Sequence, residues 1–593
     1  MNQTETFRYK WEGSSIRWKT VEKTVFKLQK RIYRAAQQGN TPLVRKLQRL
    51  LLHSTHAKLL AIRKVTQDNR GKRTAGVDGK KALSNRARQQ LLANLKLDTS
   101  TMPIRRVWID KVGTSEKRPL GIPTIRDRVK QAWVKMALEP EWEARFEPNS
   151  YGFRPGRCCQ DAIEAIFCAI HGKQAYVLDA DIAGCFNTIN HRALLDKLQT
   201  NPKLRRIIKA WLKAGIMEEG IIKANEQGTP QGGIISPLLA NIALHGMEND
   251  TKQALGRDLL YYAQQKWGLA SLRQASKMIS IVRYADDFVV IHESKEVVQK
   301  AHEYIATWLK SMGLVLKAEK TSVCHTYRSE EHRPPGFTFL GFHIRQYRAP
   351  SSKQGYKTII KPDPKAVKRH RHKLKGLVRR LRGESQETLI RVLNPVIVGW
   401  SRYYRYGVAR KVFEQLDHQL FWKLWRWACW RHDTKGKQWV REKYFHVQQG
   451  NQWCFKTNEG KKLALHTECK ITRFVKVGGM KSPYDGDFVY WSTRQGRYPT
   501  GSYRKATLLK RQQGRCSYCD LFFQADDLLE VHHVNQHPKD NQWSNLTLVH
   551  GHCHDQMHRA SGMSVKHQNT EEPDEVKVSR PVLKPSMGGD THA

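Results

Sequence analysis

Three aspartates carry the first chemistry this sequence offers. Asp286 and Asp287 fall between two apolar runs, Ile279-Ser280-Ile281-Val282 and Phe288-Val289-Val290-Ile291. Asp181 lies within a third, Tyr176-Val177-Leu178-Asp179-Ala180-Asp181-Ile182. Short apolar runs broken by an acidic turn predict strands joined by a hairpin, with the carboxylates at the sheet's rim. Mg²⁺ suits such a site, since it takes a few carboxylate oxygens and keeps several waters. Two ions about 4 Å apart can activate a hydroxyl and steady a leaving pyrophosphate, which is nucleotidyl transfer. An aspartate pair alone is equally at home in an ordinary turn. Asp179 and Asp181 share one face of a period-two strand, so position does not say which would bind metal.

A second set lies toward the C-terminus. Cys516-Ser517-Tyr518-Cys519 has knuckle spacing, and His550 and Cys553 complete four ligands for a tetrahedral structural Zn²⁺. His554 and His558 are four apart and share a helix face. The pair His532-His533 can add a further ligand and a base, and spacing does not divide those roles between them. The other cysteines (Cys158, Cys159, Cys168, Cys185, Cys324, Cys429, Cys454 and Cys469) are scattered like ordinary buried thiols. No secreted disulfide framework is indicated.

These residues need a large scaffold. The chain has 593 residues, enough for three or more units at roughly 100–200 residues each. Lys and Arg total 103 against 54 Asp and Glu, a formal net charge of +49. Such a surface fits a polyanionic partner, because neutralised phosphates release counterions. Its length and well-formed apolar patterns argue against a protein that only coats nucleic acid. No apolar run approaches the roughly 20 residues of a membrane span, and Met1 to Lys10 lacks an apolar signal core, so a cytosolic protein without membrane contact is expected.

Residues 1–60 read as basic helices, followed by a Gly-rich basic turn at Gly71 to Gly79. Residues 100–345 mix short strands with amphipathic helices such as Ala162 to Ile170 and Val297 to Leu309. The Lys/Arg-rich stretch 361–383, behind Pro362 and Pro364, suggests a linker running into a helix. Residues 385–445 read as helical, and Phe421, Trp422, Trp425, Trp427 and Trp430 read as core packing more than as base-stacking platforms. Residues 446–510 are irregular and basic. The tail from Asn569 is polar and proline-bearing, and is expected to be disordered.

With these motifs in view, the sequence resembles the reverse transcriptase/maturases encoded by bacterial group II introns, from residue 40 to about 560. The block Asp181-Ile182-Ala183-Gly184-Cys185-Phe186 resembles the family's first catalytic motif and implies that Asp181, not Asp179, is the metal-binding acid beside Tyr284-Ala285-Asp286-Asp287. Phe186 stands where the family excludes a ribose 2′-OH, which implies dNTP use. The long block Gly228 to Asn241 is similar to the one that supports template and incoming nucleotide. Its glycines let backbone approach a base pair, and Gln231 can hydrogen-bond beside it. Lys117-Arg118-Pro119-Leu120-Gly121-Ile122-Pro123-Thr124 resembles a fingers motif, which makes Lys117, Arg118 and Arg126 candidates for the triphosphate. Further matches are Tyr151 to Pro155, Gly313-Leu314 with Glu319-Lys320-Thr321, and Phe339 to Phe342. One departure is Asn187-Thr188-Ile189-Asn190-His191 after Phe186, where the family often carries acids; it reads as tuning. Leu393 to Arg405 resembles the maturase or thumb signature.

The C-terminal set resembles the HNH nucleases in order and spacing, except that His550 replaces a cysteine common among relatives. That resemblance assigns His532, with His554 and His558, to one divalent ion, with Mg²⁺ the first candidate and its identity left open. It assigns His533 as general base, with Asn545 orienting it.

The expected fold is α+β and multidomain: right-hand-type polymerase fingers and palm, a helical thumb, and a small zinc-bearing ββα-metal HNH module. The expected units are 1–95 (N-terminal extension and fingers), 96–350 (reverse transcriptase fingers and palm), 361–445 (thumb or maturase domain), 446–510 (DNA-binding region), 511–565 (HNH endonuclease) and 566–593 (disordered tail). The resemblance implies an intron protein that copies RNA into DNA, assists splicing and nicks target DNA. It would use two Mg²⁺ in the polymerase and dNTPs as substrates, with intron RNA and target DNA as partners. A homodimer is compatible with it, and the location would be bacterial cytoplasm, at the nucleoid during insertion. The competing readings are a retron-like reverse transcriptase and a splicing-only RNA-binding maturase. The thumb signature and HNH module argue against the first, and the intact Asp181, Asp286 and Asp287 against the second.

Overall fold

A computed structural model describes residue 11 and residues 16–110, 117–268, 271–330, 333–448, 452–495, 503–524, 527–537 and 540–560. The expected disordered tail, 566–593, lies outside these. Along the chain run strands β1 (Ile104–Asp110), β2 (Lys117–Ile122), β3 (Tyr176–Asp181), β4 (Ile216–Glu218), β5 (Ile221–Lys223), β6 (Ser280–Tyr284), β7 (Asp287–His292) and β8 (Ser322–His325). They continue with β9 (Phe337–Phe339), β10 (Phe342–Arg348), β11 (Tyr356–Pro362), β12 (Phe445–Gln448), β13 (Gln452–Phe455), β14 (Leu529–His533) and β15 (Leu546–His550). The fold is mixed α/β with several hydrophobic cores.

The central sheet is antiparallel, in the order β6-β7-β3-β8. Its period-two alternation serves two cores, because helices cover both faces. Val177, Val289 and Ile291 pack with Ala162, Ile163 and Ile166 of the helix Cys159–Ile170. Leu178, Phe288 and Val290 pack on the other side with Val298, Ala301 and Ile305 of the helix Lys295–Ser311. That double cover explains why the runs read as continuously apolar. A second sheet, β2-β1-β4-β5, stands apart from the first.

The helix Ile125–Glu143 divides two units and is buried nearly all round. Val134, Leu138 and Trp142 face the core of the central sheet, while Ile125, Val129 and Trp133 join the N-terminal helices Trp18–Gln37, Thr41–His53 and Thr55–Arg63. Several of its buried charges are in ion pairs, while Asp127 and Arg128 are held by hydrogen bonds to Thr124 and to backbone carbonyls. Glu143 meets Arg154 at 2.9 Å, Lys130 meets Asp98 at 2.6 Å, and Glu141 meets Arg45 at 2.7 Å. Unpaired, such charges would not stay buried.

The helices Pro364–Arg380, Gln386–Tyr404 and Arg410–Arg431 form a separate bundle. The expected linker before it is absent. β11 runs to Pro362, Asp363 caps the helix by accepting from Ala366 N at 3.1 Å, and Pro364 takes the first turn, where it forfeits no bond. Phe455 and Leu463 belong to this bundle's core, so its packing continues beyond residue 445. Trp427 is core, whereas Trp422 and Trp430 are 45% and 50% exposed. The segment 474–495 packs on the central unit: Arg494 pairs with buried Asp161, and Asp161 also accepts from Val477 N.

Candidate active sites

The three aspartates meet at one rim of the central sheet. Asp181 is the last residue of β3 and Asp287 the first of β7, and antiparallel pairing sets them directly opposite. Ala285 and Asp286 form the β6–β7 turn, with Ala285 at φ 59°, a left-handed conformation uncommon for a residue with a Cβ. Surrounding groups brace it. Buried Arg283 donates to Ala285 O and Asn241 Oδ1, each at 3.1 Å, and to Ser150 Oγ at 2.7 Å. Asn241 Nδ2 donates to Gly152 O at 2.8 Å. A Cβ on Gly152 would lie 2.3 Å from Ala285 N, so only glycine lets this loop back the turn.

Crowding makes it costly for these carboxyls to ionise together. Burial, then the charges of Asp286 and Asp181, push Asp287 up to about 8. Burial and Asp181 push Asp179 up to about 7, and Asp286 is also raised, chiefly by burial. Lys320 pairs with Asp181 Oδ2. A cluster of carboxylates that resist ionising together is what a divalent cation would relieve.

Beside this rim, a cleft of about 890 Å³ is lined by Arg106, Trp108, Gly121, Phe186, Thr229 and Gln231, among others. Phe186 sits edge-on to Phe153 at 5.8 Å between ring centroids. A Cβ on Gly232 would lie 2.2 Å from Gly121 O, so the Gly228–Asn241 block presses on β2. Lys117 and Arg118 are exposed at the start of β2, and the Arg118 charge lowers Asp286. Arg126 is farther engaged: its Nη2 lies 3.5 Å from Ser100 Oγ and 3.9 Å from Asp98 Oδ2.

The C-terminal cluster is a hairpin, β14–β15, followed by the helix Gly551–Ala560. The ligand atoms of Cys516, Cys519, His550 and Cys553 lie within 4.8 Å of one another, and all four residues are buried. His550 Nδ1 stands 3.4 Å from Cys519 Sγ and 3.8 Å from Cys553 Sγ. Tetrahedral ligands at zinc's usual sulfur and nitrogen bond lengths stand about 3.6 Å apart, so the set fits. His550 Nε2 meets Asp527 at 3.3 Å.

His532, His554 and His558 form a second group within 4.8 Å. His554 Nε2 and His558 Nε2 are 3.1 Å apart, and ligands about 2.1 Å from one ion stand about 3.0–3.4 Å apart. Glu530 holds His554 Nδ1 at 2.9 Å, which leaves Nε2 to face the group. Burial and the two other histidines lower His532 to about 4. Among the described residues no group pairs with the buried His533 Nε2. Asn545 does not reach His533: its Oδ1 accepts from Asn535 N at 2.8 Å and its Nδ2 donates to Asp540 O at 3.0 Å. It staples the loop that follows β14. No sequence motif assigns a role to Arg283, Asp527 or Glu530. Asn241 and Ser150, His550 and His554, the partners that give them one, lie far along the chain, so no local spacing marks them.

Four family models match. "Reverse transcriptase (RNA-dependent DNA polymerase)" covers residues 109–344, and "N-terminal domain of reverse transcriptase" covers 11–95. "Group II intron, maturase-specific domain" covers 367–445, and "HNH endonuclease" covers 516–560. Among curated relatives, Protein YkfC of Escherichia coli (strain K12) is 30% identical over 351 residues, 55% of this chain and 89% of that protein. Group II intron-encoded protein LtrA of Lactococcus lactis subsp. cremoris is 32% identical over 337 residues, 49% of this chain and 55% of LtrA. A Schizosaccharomyces pombe protein described as an uncharacterized 91 kDa protein in cob intron is 29% identical over 363 residues, 51% of this chain and 43% of that protein. The chain therefore spans about half the length of these last two relatives.

Proposed function

The chain belongs to the family of group II intron-encoded reverse transcriptase/maturases with an HNH endonuclease module, and from that premise we propose how its sites divide the work. It is an RNA-directed DNA polymerase, a maturase for its intron RNA and a DNA endonuclease. The observation that carries the polymerase reading is the cross-strand pair Asp181–Asp287 with Asp286 in the adjoining turn. These three carboxylates would hold two Mg²⁺, which when bound would supply an activated primer hydroxyl and charge neutralisation on the pyrophosphate.

In this reading β2-β1-β4-β5 is the fingers sheet, β6-β7-β3-β8 the palm, and the bundle from Pro364 the thumb. Phe186, wedged beside Phe153, narrows the cleft against a ribose 2′-OH and selects dNTPs. Gln231 lines the same cleft and steadies the templating pair. Lys117 and Arg118 face the triphosphate. Arg126 takes part only on leaving Ser100, since its guanidinium is already turned there.

In the nuclease module, Cys516, Cys519, His550 and Cys553 would hold a structural Zn²⁺, while His532, His554 and His558 would hold one divalent ion, whose identity an ion titration of nicking decides. His533 is the general base that takes a proton from the attacking water. Asn545 acts through the loop it staples, not by touching His533. Residues 446–510 contribute to target DNA contact, and the net charge of +49 suits a ribonucleoprotein with intron RNA. Among the described residues no helix is long and apolar enough to cross a membrane; a cytoplasmic ribonucleoprotein reaching the nucleoid fits this reading.

Primer extension on an RNA template with dNTPs tests the polymerase. Asp286→Asn should abolish cDNA synthesis while leaving nicking of a supercoiled target by the ribonucleoprotein intact, and His533→Ala should do the reverse. Unchanged synthesis in Asp286→Asn would overturn the polymerase assignment.

A further inference from the structure

The nuclease module has a face that its histidine cluster does not use; it lies beside the cysteine set, with His552 Nε2 3.3 Å from Cys553 Sγ and its ring stacked on His550 at 5.1 Å. On the helix Gly551–Ala560, His554 and His558 form one stripe and His552 and Gln556 another. The stripes are offset by two residues, about 200° around an α-helix, so they point in opposite directions. The first closes the histidine cluster. The second meets the N-terminal helix Trp18–Gln37 and the residues before it.

That contact is built from buried polar groups. His552 Nε2 lies 3.4 Å from Glu22 Oε1, and Gln556 Nε2 donates to Ile16 O at 3.4 Å. Arg63 Nη2 donates to Glu22 Oε1 at 2.6 Å, and the Arg63 guanidinium lies 4.6 Å from the Trp18 ring. Trp18 also packs on His552, with ring centroids 6.3 Å apart. Trp18, Glu22 and Arg63 are all buried.

A second bridge uses aromatic rings. Phe488 stands between Phe26 of the N-terminal helix, at 5.5 Å, and Phe522 beside the cysteine knuckle, stacked at 4.9 Å with nearly parallel planes. The Phe488–Gln495 helix is itself tied to the central unit through Arg494 and Asp161. A module swinging on a linker would lose the His552–Glu22 contact and the Phe488–Phe522 stack; a buried charge such as Glu22 keeps its place only where its partners are fixed.

We propose that this interface registers the nuclease against the polymerase: the N-terminal helix holds the histidine cluster at a set distance and orientation from the carboxylate turn, and so sets which phosphate of the target DNA is nicked. The inference rests on the nuclease reading of that cluster.

The test compares full-length wild type with Trp18→Ala, Glu22→Gln and Gln556→Ala by amide hydrogen exchange and by nick mapping on a labelled target. In the variants, amides of 551–560 should exchange at least ten-fold faster. The single wild-type nick should spread to neighbouring phosphates or lose ten-fold of its yield. Primer extension on a pre-annealed RNA template should stay within two-fold of wild type, which also reports that the polymerase is folded. If Trp18→Ala fails that control, Glu22→Gln and Gln556→Ala decide the outcome. Unchanged exchange at 551–560 would overturn the interface. Faster exchange with an unmoved, full-yield nick would overturn its registering role. Normal exchange protection in a wild-type protein that makes no nick would sink the nuclease reading, and the registering role with it.

Discussion

At the scale of single residues, both sites depend on side chains that touch no substrate. Glu530 fixes the ring of His554 through Nδ1, so that Nε2 faces the cluster. A carboxylate in that position typically contributes 10–100-fold in metal affinity. Glu530→Gln should therefore raise the divalent-ion concentration needed for half-maximal nicking by about 10–100-fold, with primer extension unchanged; an ion titration of both activities checks this. The candidate ligands themselves were legible in the sequence, because Cys516-x-x-Cys519 and the i, i+4 pair His554 and His558 are local patterns. Asp527 and Glu530 were not, since an acid in a hairpin strand is unremarkable until folding sets it against a histidine. Asn545 shows the opposite case. Its place in the motif was readable, but its hydrogen bonds to Asn535 and Asp540 belong to a loop conformation that no motif encodes.

At the scale of elements, the carboxylate hairpin is held by what packs behind it. Gly152→Ala forces a Cβ to 2.3 Å from Ala285 N, so loop or turn must shift. A misplacement of about 1 Å can cost 10²-fold in rate. Gly152→Ala should lose primer extension by about 10²-fold while circular dichroism and melting show a folded protein. The strands were legible from their apolar runs, as was the acidic turn between them. That Asp181 joins Asp286 and Asp287 came from the family resemblance; the direct pairing of β3 with β7 that brings it about was not legible, because strand order depends on contacts across more than a hundred residues. The stretch 361–383 misled for a local reason: Pro362 and Pro364 look like a linker, yet one ends a strand and the other opens a helix.

The helical bundle carries its own pH dependence. Asp417 Oδ1 holds His466 Nδ1 at 2.6 Å, and His466 Nε2 meets His370 Nε2 at 2.8 Å. Burial, then His466 and Lys373, lower His370 to about 2. Between its ordinary value of about 6.5 and that value, the unfolded chain holds one more proton than the folded one. Stability from this group is therefore intact above pH 6.5 and falls by about 1.4 kcal/mol per pH unit below it. Melting at pH 7 and pH 5 should show that His370→Phe flattens the loss between them.

At the scale of the whole molecule, several cores predict several independent losses. The nuclease core gathers the three zinc-fitting cysteines with Leu508, Phe523, Leu548 and Val549, a small apolar set. A module of that size leans on its metal. Chelation should open residues 511–560 to limited proteolysis and abolish nicking, while cDNA synthesis with excess Mg²⁺ continues. That the chain holds several units was legible from its length and motifs; how closely they interlock was not, since Phe455, Tyr484 and Trp491 serve cores that begin far upstream.

The helix Ile125–Glu143, buried between two cores, bears on how the chain is made. The N-terminal helices leave the ribosome first, with Val25, Ile32, Leu47 and Leu59 bound for a core that this later helix completes. Until synthesis has passed Glu143 they have no lasting cover. A nascent chain paused upstream of that point holds a basic, half-finished bundle open to chaperones and to any RNA nearby, including the transcript being read.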